Sequence, residues 1–426
     1  MDFCAPVGSG SGATCGLFAI TSVRLTSRMR IAFLTHEPFY PPSGGGSAEA
    51  IYLVQEMVRR GHEVDIFCPK IENPLEVATK FGVRLHEFTA WQMGRYAAFR
   101  NLKYLAYPFF LQRMVRGVAI DRPFDLVFSQ HAIAAVAAGR LRNQLSCPVV
   151  MNCLDYLTAF METWPAYVAP PPLLAILKRF ELSLPQRYHA DALLTVSDTL
   201  ADYFAQTGFS RSRILPIYYG YDADLFPLRT VVPPAQPPIV IMHGSLDKHH
   251  LQQIAQDAVA LVAADRPETI FRFVGHVSPT LQQFLARTQT RCPNVRLETT
   301  GFIPYDRIAA ELAKAHLGIV PYEESTGTHC AFVAKIVEYL AVGLPVVSTR
   351  LQSASQYFAN ESRVSFTGFS GSEFGTAILQ KLSTADNTGP TEAAEASARV
   401  RMNLNWRSIS ARALDFSERA ATQFQR

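Results

Sequence analysis

The sequence lacks any apolar run approaching the roughly 18 residues that a membrane-spanning helix needs. Even the alanine-rich stretch near position 135 is interrupted by Asp121, Asp125, Gln130, His131 and Arg140. It has little charge: Asp, Glu, Lys and Arg make up 18%, and 40 basic against 36 acidic residues leave a net +4. That balance excludes polyelectrolyte character, chain-wide disorder and non-specific nucleic-acid binding. Cysteine is sparse too. Cys4, Cys15, Cys68, Cys147, Cys153, Cys292 and Cys330 form no CxxC pair and are odd in number, so neither a zinc knuckle nor a complete disulfide framework follows, and a reducing cytosol is the simplest compartment. What the chain does have is length and apolar bulk. Its 426 residues, 48% hydrophobic, suffice for two to three cores at about 150 residues per domain.

Residues 1–28 contain Gly8, Ser9, Gly10, Ser11 and Gly12, and their one apolar patch, "CGLFAI", lacks the basic leader of a signal peptide. They read as a disordered arm or as the product of a start codon placed too far upstream. From Met29 short β-rich runs alternate with helical stretches: "RIAFLT", "EVDIFC", "FDLVFS", "CPVVMN", "ALLTVS". This rhythm predicts a parallel sheet wrapped by helices. It restarts at "IVIMHGS" and continues through "IFRFVG", "VRLETTG", "LGIVPY" and "PVVST". Two α/β domains are therefore expected, at 29–230 and 239–403, joined by a hinge at 231–238, where "VVPPAQPP" can continue neither a helix nor a central strand. Residues 384–396 are rich in Ala, Thr, Glu and Gly, and 404–426 read as a terminal segment whose helix runs from about Trp406 to Gln423.

Two motifs carry chemistry. The first strand runs into "THEPFYPPSGGGSAEA", which places Gly44, Gly45 and Gly46 directly before a helix. Glycines let a backbone approach an anion, and the helix N-terminus presents free N–H groups to it. The spacing is neither the dinucleotide GxGxxG nor a Walker loop, and a plain tight turn would look the same. The second, "AKIVEYLAVGLPVVST", reads as a helix capped at Gly343, a turn at Pro345 and a buried strand. Lys335 and Glu338 share one face of that helix. A cation there suits a diphosphate and a carboxylate one turn later suits a ribose diol; the alternative is a surface ion pair.

"RIAFLTHEPFYPPSGGG…RRGHEVDIFC", "YYGYDADLF", "TTGFIPYDRIAAELAKAHLGIVPY" and "KIVEYLAVGLPVVST" together resemble family 4 glycosyltransferases of the GT-B fold, from about residue 29 to the C-terminus. The resemblance implies two Rossmann-like domains facing across a cleft, the donor held mainly by the second and the acceptor mainly by the first, with the last helix crossing back to the first domain. It implies that Glu338 binds the donor ribose, that Lys335, Lys248, Gly244 and Ile303 belong to the donor side, and that Gly44, Gly45 and Gly46 approach the phosphates. Two departures stand out. Cys330 occupies the position, eight residues before Glu338, where many members have a sugar-contacting glutamate. Gly244-Ser245 replaces a Gly-Arg pair.

In the first domain His131 and Asp155 each follow a strand, where open α/β sheets bind ligands. Both are candidates for the reacting centre, although a core histidine and a helix cap are the plainer readings. Asp222 and Asp224 have a DxD spacing that could hold a metal-bound diphosphate, but they fall in the family's interdomain turn, so no metal and no cofactor beyond the sugar nucleotide is expected. Residues 91–120 hold Arg95, Arg100, Lys103, Arg113 and Arg116 with seven aromatics and no acid until the next residue. That mixture suits an anionic membrane surface or a lipid-linked diphosphate, though the basic positions spread widely over a helical wheel and Pro108 should interrupt the helix.

The expected function is transfer of a sugar from a nucleoside-diphosphate donor to a carbohydrate or lipid-linked acceptor, in the cytoplasm or on the inner face of a membrane. Family 4 membership would suggest retention of configuration. A nucleotide-sugar epimerase or hydrolase on the same scaffold is the runner-up, and Cys330 motivates a third reading, a non-catalytic sugar-nucleotide-binding subunit.

Overall fold

A computed structural model describes residues 28–42, 45–91, 102–229, 237–384 and 390–424. The expectations for the N-terminal arm and most of the proline-rich hinge fall outside these residues, as do Gly44, Arg95 and Arg100.

The inner strands are largely apolar runs because helices cover both faces of a parallel sheet, whereas the edge strands Arg84–Phe88 and Arg296–Gly301 are polar and more exposed. In the first sheet the strands are β1 (Arg30–Thr35), β2 (Glu63–Pro69), β3 (Arg84–Phe88), β4 (Leu126–Gln130), β5 (Val149–Cys153), β6 (Ala192–Thr195) and β7 (Ile214–Pro216), in the order β3-β2-β1-β4-β5-β6-β7. All neighbouring pairs are parallel. The second sheet comprises β8 (Ile239–His243), β9 (Ile270–Val274), β10 (Arg296–Gly301), β11 (Leu317–Val320), β12 (Val346–Thr349) and β13 (Val364–Thr367), in the order β10-β9-β8-β11-β12-β13. Strand order reverses between β1 and β4 and again between β8 and β11. The carboxyl ends at such reversals leave a crevice, which is where ligands bind in open α/β sheets. The two-domain Rossmann-like architecture expected from the rhythm of the sequence is thus present.

The one charge in β1 is matched: Arg30 Nε donates to Asp65 Oδ2 at 3.0 Å. Burial alone would raise the Asp65 carboxyl, but hydrogen bonds from Arg84, His86 and Arg30 outweigh it and hold the group well below the usual carboxylate range. The terminal helix Trp406–Phe424 crosses back to the first domain. Trp406 stacks on Tyr52 with ring centroids 5.3 Å apart, His62 Nε2 lies 2.9 Å from Glu418 Oε1, and Arg60 Nη1 donates to Asp415 at 2.7 Å.

The stretch from residue 390 folds as a helix, Pro390–Asn403, whose alanines and Glu392, Glu395 and Arg399 give it helix propensity. One reading of the sequence needs correction. Pro108 does not break its helix, which runs Lys103–Ala119 with Tyr107, Pro108, Leu111 and Val115 buried. Burial of that stripe compensates for the hydrogen bond that proline cannot donate.

Candidate active site

The second domain supplies a short helix, Ala334–Ala341, ended by Gly343 in the left-handed region at φ 79°, with Leu344 N donating to Tyr339 O. Lys335 and Glu338 do share a face of it, but they are not an exposed ion pair: their exposures are 8% and 6%. Glu338 Oε2 lies 2.5 Å from His243 Nε2, and Glu338 Oε1 accepts from Tyr305 OH at 2.7 Å. Each carboxylate oxygen keeps one further acceptor position, so a diol can still be received by a group already fixed in place. Lys335 Nζ reaches Tyr322 OH at 3.2 Å and His250 Nε2 at 3.4 Å. Burial pulls its amine down to about 8, an effect that Glu338 only partly offsets.

Gly244 follows β8 directly and adopts φ 93°, a conformation that other residues rarely take. A Cβ at that position would sit 3.7 Å from Lys335 Nζ, so the exposed loop backbone and the buried amine adjoin. Lys248 lies half-buried in the following turn, where its N–H donates to Asp247 Oδ1 at 2.8 Å. Ile303 is half-buried against the core, two residues before Tyr305 in the loop after β10.

In the first domain, Gly45 and Gly46 open the helix Gly45–Arg59. His131 is the first residue of the helix after β4 and holds φ 66°, a strained conformation for a residue with a Cβ. Its Nε2 is buried without a hydrogen-bond partner among the described residues, 3.8 Å from Glu37 Oε2. Burial lowers its basicity, against an opposing pull from Glu37. Asp155, half-buried, lies two residues beyond β5. The turn that follows it is held by Glu181, which accepts from Leu157 N at 2.9 Å and Thr158 N at 2.8 Å.

The two halves meet. Glu162 accepts from Thr326 N (2.7 Å) and Thr326 Oγ1 (3.0 Å) across the cleft and pairs with Lys178. The Phe160 and His249 rings lie 5.5 Å apart, and Ser197 Oγ donates to Cys330 O at 2.6 Å. Cys330 itself is fully buried, and burial raises its thiol to about 12. Asp222 is a turn-former, with Oδ1 accepting from Asp224 N at 2.9 Å and Oδ2 from Tyr52 OH at 2.7 Å.

Sequence reasoning missed His243, His250, Tyr305, Tyr322, Glu49 and Glu181. A positional signal existed for the first four, which close a strand or follow one within a few residues. Glu49 and Glu181 lie on helices and carry none.

Two parallel α/β domains that meet through Glu162–Thr326 and Ser197–Cys330, with a buried lysine and glutamate on one helix of the second, are the arrangement expected of a GT-B glycosyltransferase. The Glycosyltransferase Family 4 model matches residues 43–225 and the Glycosyl transferases group 1 model residues 237–383. The chain belongs to this glycosyltransferase family. Among solved structures it resembles sucrose-phosphate synthase from Thermosynechococcus elongatus, at 16% identity and TM-score 0.76 over 93% of this chain and 100% of that one. It also resembles Anabaena HepE in complex with UDP and glucose, at 19% identity and TM-score 0.69 over 91% and 99%. A third is WaaG, a glycosyltransferase involved in lipopolysaccharide biosynthesis, at 15% identity and TM-score 0.62 over 90% and 98%. At these identities the likeness is one of fold. No curated protein matches the chain in sequence.

Proposed function

We propose that this glycosyltransferase takes a sugar from a nucleoside-diphosphate donor bound against the helix Ala334–Ala341 and passes it to a carbohydrate or lipid-linked acceptor held by the first domain. The observation that carries the reading is Lys335, a buried amine beside the Gly244 backbone, one turn from a pre-oriented Glu338. The C1–O bond to the diphosphate breaks, and Lys335, Lys248 and the amides opening the helices at Gly45 and Ala334 stabilise the departing charge in a cleft with little water. These groups supply the positive field without a metal, and Asp222 is already committed to its turn. In a retaining course the leaving phosphate takes the acceptor proton, and in an inverting one Asp155 is the base.

The structures of Anabaena HepE contain UDP and UDP-glucose, which makes uridine nucleotides the first to test. A thermal-shift screen over UDP-, GDP-, ADP- and dTDP-sugars decides the donor, since a ligand at 100 times its Kd adds about 2.7 kcal/mol of apparent stability. Stabilisation by none of them would overturn the reading, and turnover of the sugar nucleotide without acceptor would favour the epimerase or hydrolase.

Membrane attachment belongs to the same proposal. No helix among the described residues is long and apolar enough to cross a membrane. The helix Lys103–Ala119 nonetheless turns Leu105, Phe109, Arg113 and Arg116 outward in one stripe, continued by Leu102 and Ile120 at its ends. Apolar and basic residues at spacings of three and four on an exposed face suit the surface of an anionic bilayer.

A further inference from the structure

Glu49 lies one turn into the helix that follows the glycine loop and is 1% exposed. Its Oε1 accepts from Asn152 Nδ2 at 2.7 Å, while its Oε2 and Asn152 Oδ1 are both buried with no hydrogen-bond partner among the described residues. Two orphaned acceptors on one hydrogen-bonded pair are costly as they stand. One proton between them removes both orphans, because a carboxylic acid can donate where a carboxylate cannot. We propose that Glu49 is a neutral acid whose Oε2–H donates to Asn152 Oδ1, closing a two-bond ring that makes it a positioning residue for the glycine loop and for Asp155. Asn152 is the last but one residue of β5, three before Asp155, and Glu49 follows Gly46 by three, so the ring ties the phosphate-facing end of one element to the reacting end of the other.

The electrostatic surroundings agree. Burial, with a smaller push from Asp155 and against the Asn152 hydrogen bond, raises the Glu49 carboxyl to about 8. Tyr219 feels Glu49 together with Asp155 and Glu37, and Tyr322 feels Asp155 and hydrogen-bonds Lys335. An ionised Glu49 would therefore meet the charge of Asp155 with the Asn152 hydrogen bond as its compensation.

The role of the ring rests on the donor-site reading, and its test separates the two. Glu49→Gln can form the same ring with its amide, whereas Glu49→Ala cannot. At pH 7 Glu49→Gln should keep donor KM and kcat within threefold of wild type, and Glu49→Ala should raise donor KM tenfold or more at an unchanged fold. Above pH 8 the wild-type donor KM should rise relative to that of Glu49→Gln; Lys335 is present in both, so the ratio isolates Glu49. Equal impairment of Gln and Ala variants, or an Ala variant within twofold of wild type, would overturn the proposal. If no sugar nucleotide binds even the wild type, the infrared carbonyl band of a protonated carboxylic acid at pH 6 to 7 still decides the protonation. Its loss in Glu49→Gln supports the neutral acid, and its absence from wild type refutes it.

Discussion

Replacing Lys335 by methionine should make the free enzyme more stable and nearly useless. The lysine is 8% exposed, and burial lowers its amine from 10.5 to about 8. That difference, 10.5 − 8 = 2.5 units, corresponds to about 3 kcal/mol of cost for carrying the charge in the folded state. Below pH 8 the amine is protonated whether the chain is folded or not, so the whole cost is present. Between pH 8 and 10.5 the unfolded chain binds a proton that the folded one does not, so stability rises with pH; above that range the cost is gone. Methionine keeps the apolar stem and removes the charge, but also removes the contacts to Tyr322 OH and His250 Nε2, which returns about 1–2 kcal/mol. The net gain expected at pH 7 is about 1–2 kcal/mol, or roughly 2–6 °C in Tm. Turnover should nevertheless fall about 100-fold or more, as when one preorganised donor to a departing charge is removed. Urea melts at pH 7 and pH 9.5, calorimetric donor titration and initial rates would measure all three effects. A variant that is destabilised at pH 7 and still binds donor within twofold would refute the reasoning and make Lys335 a packing strut.

Glu338→Ala should weaken donor binding and also cost about 1–3 kcal/mol, because it strips His243 and Tyr305 of their shared carboxylate; unchanged donor affinity in a folded Glu338→Gln would remove the ribose assignment. Glu162→Ala breaks the contacts to Lys178 and Thr326 and should lower kcat with less effect on donor Kd, and small-angle scattering that showed no opening would count against a closure role. Lys103, Arg113 and Arg116 changed together to Glu should abolish sedimentation with anionic liposomes at low salt, and equal pelleting of variant and wild type would dismiss the membrane surface. EDTA should leave at least half the activity, whereas loss restored by magnesium would return Asp222 and Asp224 to consideration as ligands.

Much of the architecture was legible because parallel strands announce themselves. A run such as "RIAFLT" or "PVVST" must be apolar on both faces, and a restart of that pattern after four prolines in eight residues can only mean a second sheet. The helix Pro390–Asn403 was less visible because its apolar face is narrow, with Ala396, Ser397 and Val400 among its few buried positions. Of the site, spacing revealed that Lys335 and Glu338 share a face. It could not reveal burial, since both would read alike on a solvated surface. That Tyr305 and His243 converge on Glu338 from positions 33 and 95 residues away depends on how β8, β10 and the helix Ala334–Ala341 stack, which no local pattern encodes. Glu49 is the extreme case, because a single acid one turn into a helix reads as an ordinary solvated side chain, and nothing local pairs it with Asn152, 103 residues away.

Several of the buried charged and orphaned polar groups lie at the strand ends and helix starts of the two sheets, and that placement has a physical reason under the proposed function. Lys335 is held against Tyr322 and His250, His131 keeps a strained backbone and an open nitrogen, and Glu49 and Asn152 each carry an unmet acceptor. Each costs stability in the free chain, and none is explained by packing, since the surrounding core is apolar and well filled. A charged, hydroxylated ligand entering between the domains would meet the lysine with phosphate and the open ring nitrogen with a hydroxyl. The same strains that weaken the empty fold therefore become interactions in the filled one. This is why stability gained by neutralising these positions should be matched by activity lost. The Glu49 and Asn152 pair is the exception that sharpens the argument: its strain is relieved by a proton alone, so it acts on the geometry of the walls and not on the ligand.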